Sequence, residues 1–302
     1  MGEPGAFPVV PHDLASVDEE TVLLLVERLS DTTTKTPEGL LELPAGEGEA
    51  VVLGDIHADW PTLEQVAREH LEGATPVRRF ILLGDYVDRA PEHLPFASLV
   101  NALLVLSLMA AYPDRVIALK GNHEAYRETP SLSCDLLRES DDAWGSPTVG
   151  ERVLDLLEAL PLAVTTESGA YLAHAGFPLK KDWKAALRNP TETTILQVCW
   201  NDVELSPTCG ARGIDQTPIN EQNLGEFLAR SGTSVFLRGH DPAVVGKSLY
   251  HDRLLTLHTT RVYEERGLYL AYLPLSGRVR DLSGVRLRKI EPAPLPPARP
   301  SR

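Results

Sequence analysis

One arrangement recurs five times in this chain: a short apolar run, a break, and then a side chain able to hold a cation or a proton. In Val51-Val52-Leu53-Gly54-Asp55-Ile56-His57 the apolar residues read as a buried strand. Gly54 breaks it, and Asp55 and His57 arrive side by side at its carboxyl end. The pattern returns in Phe80-Ile81-Leu82-Leu83-Gly84-Asp85 and in Val116-Ile117-Ala118-Leu119-Lys120-Gly121-Asn122-His123. It appears again in Tyr171-Leu172-Ala173-His174 and in Val235-Phe236-Leu237-Arg238-Gly239-His240. Carboxylate, amide and imidazole are donors that borderline divalent metals accept.

Helical patterns separate the first three runs. Asp59 can cap a helix with Pro61 in its first turn and Leu63, Val66, Ala67 and Leu71 on one face, ending near Glu72. The stretch 94–112 is nearly all apolar and about as long as a bilayer span. Ser98, Asn101 and Ser107 interrupt it and strands flank it, so it reads as a buried crossover helix. Strand, helix, strand, helix, strand predicts a parallel sheet with right-handed crossovers, and ligands of such sheets gather at the carboxyl ends of the strands.

Upstream, Ser16 and Glu19 form a capping-box pattern ahead of a helix carrying Val22, Leu23, Leu25, Val26 and Leu29, ending near Ser30. Residues 124–150 read as polar loop, 151–160 as a helix, and 162–166 with 170–173 as a hairpin. With further strands expected at 235–237, 253–257 and 268–273, the fold class is α/β, two packed sheets with helices outside. A single domain is expected over 1–290, followed by a proline-rich, disordered tail over 291–302.

The net charge of −14 argues against a general nucleic-acid or membrane-surface binder, so neither is expected as a partner. An anionic substrate would need a local cluster of cations. Hydrolysis of a phosphate ester requires a nucleophile, neutralisation of the phosphoryl oxygens and a proton for the leaving oxygen. Two divalent metals supply the first by activating a water held between them, and part of the second. Asp85, central among the motifs, is the expected bridge. Asp55 and His57 complete one site, and Asn122, His174 and His240 the other. Oxygen and nitrogen donors without thiolate favour manganese, with iron or zinc as alternatives. His123 is the candidate general acid, Asp88 the carboxylate that orients it, and Arg89 the planar fork for phosphate.

Cys134, Cys199 and Cys209 are too few and too irregular for a disulfide framework, and read as reduced thiols. Met1-Gly2-Glu3-Pro4-Gly5-Ala6 carries no basic segment leading into an apolar one, and the expected location is cytoplasmic. His12, His70, His93 and His251 have no motif context and read as exposed, whereas His258 at a strand end reads as cleft-facing or structural.

Taken together, Gly54-Asp55-Ile56-His57, Gly84-Asp85-Tyr86-Val87-Asp88-Arg89, Gly121-Asn122-His123-Glu124, His174-Ala175-Gly176 and Arg238-Gly239-His240 resemble the motif set of the calcineurin-like metallophosphoesterases. The similarity is greatest to the phosphoprotein phosphatase branch, the Ser/Thr protein phosphatases, and runs over about 40–263. Leu40-Leu41-Glu42-Leu43, Tyr112-Pro113, Leu160-Pro161-Leu162 and Trp200-Asn201-Asp202 add to it. The resemblance implies a sandwich of two mixed sheets flanked by helices, and the metal ligands and acid already assigned. It adds Arg212 as a second phosphate-binding arginine, counts Asn122 with Arg89 at the phosphate, and matches Tyr263 to a tyrosine that closes the site. The chain departs from the family at Ala58, Ala90, Lys120, Ala175 and His258-Thr259-Thr260-Arg261, beside functional positions, which bears on substrate preference.

The implied activity is removal of phosphate from phosphoserine or phosphothreonine of a protein, by metal-activated water and without a phosphoenzyme. Two rivals stand beside it. One is the same chemistry on a small phosphoester, such as a dinucleoside polyphosphate or cyclic nucleotide, since one fold hosts several substrates. The other is a catalytically silent scaffold. The substrate partner is accordingly a phosphorylated protein or a small phosphoester, with the oligomeric state open.

Overall fold

The apolar runs become strands and the stretches between them helices in a computed structural model that describes residues 6–33, 39–74, 77–129, 134–207, 209–210 and 217–297. In chain order the elements begin α1 (Glu19–Thr33), β1 (Leu40–Leu43), β2 (Glu49–Leu53), α2 (Trp60–Leu71), β3 (Arg79–Leu82), α3 (Ala97–Ala111) and β4 (Val116–Ala118). They continue α4 (Asp135–Trp144), α5 (Thr148–Glu158), β5 (Ala163–Thr166), β6 (Ala170–Ala173), α6 (Trp183–Arg188), α7 (Glu192–Trp200) and α8 (Glu221–Ser231). The last are β7 (Val235–Arg238), β8 (Ser248–Leu249), β9 (Leu254–Thr256), β10 (Leu268–Pro274) and β11 (Arg286–Ile290).

Among the described residues eleven strands make two mixed sheets, ordered β11-β10-β2-β3-β4 and β1-β5-β6-β7-β9-β8. β2, β3 and β4 run parallel, and β5 and β6 form the expected antiparallel hairpin. Side chains alternate across each strand, so one face of every sheet meets the other sheet and the opposite face meets helices. Ala50, Val52 and Ile81 thus pack with Leu172, Leu237 and Leu255 between the sheets. Val51, Leu53, Phe80 and Leu82 point the other way, onto the layer of α1 to α5. Tyr171 and Phe236 face Trp183, Val198 and Phe227 on the outside of the six-stranded sheet. The apolar stretch at 94–112 becomes α3, buried at every position from Ala97 to Leu108. Among the described residues no helix is long and apolar enough to cross a membrane.

Several expectations are corrected. α1 is capped by Asp18, whose carboxylate accepts from Thr21 N and Oγ1 at 2.8 Å each, whereas Ser16 sits in a preceding 3-10 turn. The supposed loop at 124–150 contains α4, which buries Leu136, Glu139 and Ser140 and ends at Gly145 in the left-handed region (φ 69°). His70 is buried, bridging Val66 O at 2.8 Å and the Tyr272 hydroxyl at 2.9 Å. The proline-rich tail, expected to be disordered, is described through Pro297. Its Ala293 is buried, donating to Thr62 Oγ1 at 3.1 Å and accepting from Arg261 at 2.7 Å. Residues 298–302 lie outside the described residues.

Candidate metal centre

The loops that leave β2, β3, β4, β6 and β7 deliver their polar side chains to one place. Asp55, His57, Asp85, Asp88, Asn122, His123, His174 and His240 are all buried, none more than 6% exposed. Backbone hydrogen bonds lock the loops to one another. Ile56 N and His57 N both donate to Asp85 O, at 3.0 and 2.8 Å, Gly239 N donates to His174 O at 2.8 Å, and His240 N donates to Asp55 Oδ1 at 2.8 Å. The chain turns sharply to do this. His57, Asp85, Asp88, Arg89 and His240 all have positive φ, between 43° and 76°, a conformation that persists only where surrounding contacts enforce it. Gly84 stands at φ 108°, and a Cβ there would lie 2.5 Å from Gly121 N, so only glycine lets the β3 and β4 loops meet.

Two compact trios of donor atoms share one residue: His57, Asp85 and His123, and Asp85, His174 and His240. His57 Nδ1 lies 3.2 Å from Val87 O, and His174 Nδ1 lies 3.0 Å from Leu83 O. A ring that donates from Nδ1 presents its Nε2 lone pair on the other side. His57 Nε2 accordingly stands 3.6 Å from Asp85 Oδ2 and 3.8 Å from Asp55 Oδ2. His174 Nε2 stands 3.4 Å from Asp85 Oδ1 and 3.0 Å from Asn122 Oδ1, which is also 3.0 Å from His240 Nδ1. His240 is turned the other way round, its Nε2 3.6 Å from Asp202 Oδ1.

This set fits divalent cations. Asp55 Oδ2 and His57 Nε2 are buried and make no hydrogen bond among the described residues, and such atoms are costly to leave without a partner. Burial and the neighbouring Asp85 push the Asp55 carboxyl up to about 6. Asp85 is held low despite its burial by the imidazoles around it, that of His174 first and then that of His123. Burial keeps His57 neutral, its pKa far below the usual imidazole value, as a nitrogen ligand must be. The donors Asp55, His57, Asp85, Asn122, His174 and His240 can therefore hold two ions with Asp85 common to both.

His123 is close enough to join the first trio, but its surroundings suit a proton donor. Its Nδ1 bonds Asp88 Oδ2 at 2.6 Å, and Nε2 lies 4.0 Å from Asp85 Oδ2. Burial opposes a charge on the ring, yet Asp85 and the bond to Asp88 outweigh it and raise its pKa. Asp88 is itself anchored, accepting from Asp135 N at the start of α4 at 2.7 Å. Arg89 is exposed at the mouth and its guanidinium donates to the Tyr263 hydroxyl. The Tyr263 ring stands 5.9 Å from His57 and 5.2 Å from His258. Arg212 lies outside the described residues.

Sequence reasoning gave no role to Glu124, Asp202 or Arg261 and left His258 between cleft-facing and structural, yet all four help to build the site. Glu124 accepts three backbone N–H groups, from Asp85 at 2.7 Å, Tyr86 at 2.8 Å and Gly121 at 2.9 Å, and so ties the β3 and β4 loops together. Burial and Asp85 push it up to about 8. Asp202 backs His240, and Arg261 clamps Asp59 through its backbone N at 2.8 Å and side-chain nitrogens at 2.9 and 3.0 Å. His258 is fully buried beside Asp55, and burial lowers its pKa to about 3. Position beside a motif, in Gly121-Asn122-His123-Glu124 and Trp200-Asn201-Asp202, was the available signal for the first two.

Comparison with known proteins agrees with this geometry. A family profile described as calcineurin-like phosphoesterase matches residues 50–244. A protein serine/threonine phosphatase from Saccharomyces cerevisiae superimposes with a TM-score of 0.74 at 19% identity, over 93% of this chain and 92% of that one. A cold-active protein-tyrosine phosphatase from a psychrophilic Shewanella species superimposes with a TM-score of 0.53 at 12% identity, over 86% and 84%. At these identities the likeness is one of fold.

Proposed function

The chain belongs to the calcineurin-like phosphoesterase family, and from that premise we propose that it is a protein phosphatase acting on phosphoserine and phosphothreonine. The observation that carries the reading is the convergence of buried oxygen and nitrogen donors on Asp85, with the His123–Asp88 pair on one side and the exposed Arg89 at the mouth. Support for a protein substrate comes from two fold neighbours that are named as protein phosphatases and are matched over 92% and 84% of their length.

When bound, two divalent cations supply a nucleophilic water near neutral pH and neutralise part of the phosphoryl charge. Asp55, His57 and Asp85 would hold one, and Asp85, Asn122, His174 and His240 the other. Arg89 binds two phosphoryl oxygens with its planar fork and orients the ester, its guanidinium steadied by the Tyr263 hydroxyl. Arg212 is proposed as a second phosphate contact and Asn122 as a further one. His123, charged and held by Asp88, gives its Nε2 proton to the leaving serine or threonine oxygen, which is too basic to depart as an anion. Burial of the centre keeps competing bulk water from the donors. No step leaves a phosphoryl group on the protein.

The test is a substrate panel for the manganese-loaded protein: phosphoserine, phosphothreonine and phosphotyrosine peptides, an aryl monoester, an aryl diester and a dinucleoside tetraphosphate. The expected order puts the phosphoserine and phosphothreonine peptides first in kcat/KM. Preference for the diester or the dinucleotide overturns the protein-phosphatase reading. Preference for phosphotyrosine moves it to the other protein class. Silence on all six with metal bound favours a scaffold.

A further inference from the structure

We propose that His258 is a direct ligand of the first cation through Nε2, so that this site is built from Asp55, His57, Asp85 and His258. The inference rests on the binuclear reading above and adds to it a donor from a sixth strand end. Leu254-Leu255-Thr256-Leu257-His258 repeats the design of the five motifs, an apolar run closing on an imidazole.

The backbone holds His258 against the centre from two sides. Asp55 and His258 form an isolated parallel bridge, with Thr259 N donating to Asp55 O at 2.9 Å, and Tyr269 N donates to His258 O at 2.7 Å. Gly54 permits the approach, since a Cβ there would lie 1.8 Å from Leu257 O. The ring cannot turn away to solvent, being 0% exposed beneath Tyr263.

Its polar atoms point to a ligand. Neither ring nitrogen of His258 makes a hydrogen bond among the described residues, and neither does Asp55 Oδ2, although Nε2 and Oδ2 are only 3.2 Å apart. A histidine placed merely to orient Asp55 would aim an N–H at that oxygen, and the ring does not. Two donors bound at ~2.1 Å to one ion stand roughly 3 to 3.5 Å apart, which is the spacing seen here. A shared cation would satisfy both atoms at once, where a buried imidazole without a partner is costly. His258 belongs to neither compact trio, and Asp55 is its contact with the centre.

Metal counting tests this without reference to turnover. The chain, stripped of metal and titrated with manganese chloride, is measured by calorimetry, by elemental analysis after dialysis and by electron paramagnetic resonance. The wild type is expected to take two ions and give the signal of an exchange-coupled pair. His258→Phe, which keeps the ring's bulk, and His258→Ala are both expected to retain one ion and give the six-line signal of isolated manganese. The first-site affinity should weaken about a hundredfold, the top of the range for losing an orienting partner alone. His258→Gln, whose amide oxygen can still bind, should recover part of the loss. If either the Phe or the Ala variant holds two ions within threefold of wild-type affinity, His258 is no ligand. A wild type that takes fewer than two ions overturns the binuclear reading itself, and this inference with it.

Discussion

His123 is the residue on which chemistry and binding separate most cleanly. Its Nδ1 is bonded to Asp88 and its pKa is raised, so the ring in its charged form carries a second proton on Nε2. Replacement by asparagine should lower kcat on phosphoserine peptides about 10²- to 10⁴-fold, the range for a lost general acid. The loss should be smaller on an aryl ester, whose leaving oxygen needs no proton, and both ions should remain. Turnover on the two substrates, with metal analysis of the same samples, checks this. Equal losses on both, or loss of metal, would remove His123 from that role. At this scale much of the cluster was readable, because each expected donor ends an apolar run and short backbone turns leave it little freedom. Glu124 and His258 were harder to assign. A carboxylate that binds three backbone amides, and an imidazole that meets Asp55 from about two hundred positions away, are defined by tertiary neighbours and not by local pattern.

Among the elements, the segment after β9 decides how the mouth is closed. Arg261 opens a 3-10 segment, Arg261–Arg266, that carries Tyr263 to Arg89, and it is fastened by Asp59, Thr62 and the Ala293 carbonyl. Asp59 is 0% exposed and also caps α2, so Arg261→Ala leaves a buried carboxylate without its main partner. Removing one member of a buried pair costs about 3–5 kcal/mol, against about 0–1 for an exposed pair such as Lys184 with Glu42. Thermal unfolding should therefore drop by several degrees for Arg261→Ala and hardly move for Lys184→Ala. KM for phosphopeptide should rise in the first variant alone, as Tyr263 loses its tether. Comparable Tm shifts in the two would sink the clamp. The capping of α2 was evident from Asp59 and Pro61, but α4 was not. Its ten residues are strongly acidic, with Asp141-Asp142 near the end, and Gly145 just after them reads as a breaker although it is the helix's own terminus. What holds α4 in place is Leu136 under α3 and the Asp88 carboxylate, neither of which its own sequence declares.

For the whole molecule, the centre is a junction between two sheets. Asp55, His57, Asp85 and Asn122 follow strands of the five-stranded sheet, while His174 and His240 follow strands of the six-stranded one, so ions bound at these residues would tie the halves together. That junction makes stability depend on metal and pH jointly. Without metal, the carboxyls of Asp55 and Glu124 have folded values of about 6 and about 8, above the unfolded 3.8 and 4.5. A raised acid contributes stability that is complete below its unfolded value and disappears as pH rises through its folded one. The metal-free protein should thus lose stability from these groups between about pH 4 and 8, as two buried carboxylates ionise beside Asp85. Cations reverse this, because they bind the ionised form and release its proton. Apparent affinity should fall about tenfold per pH unit below 6 for each proton displaced. At a hundredfold excess over Kd each ion adds about 2.7 kcal/mol, so the rise in Tm on adding manganese should be large at pH 8 and shrink towards pH 5. Differential scanning calorimetry with manganese and with a chelator, across that range, measures it directly. A manganese shift that is flat or grows towards acid would mean that the ions do not replace protons on Asp55, and that the junction is not where they bind.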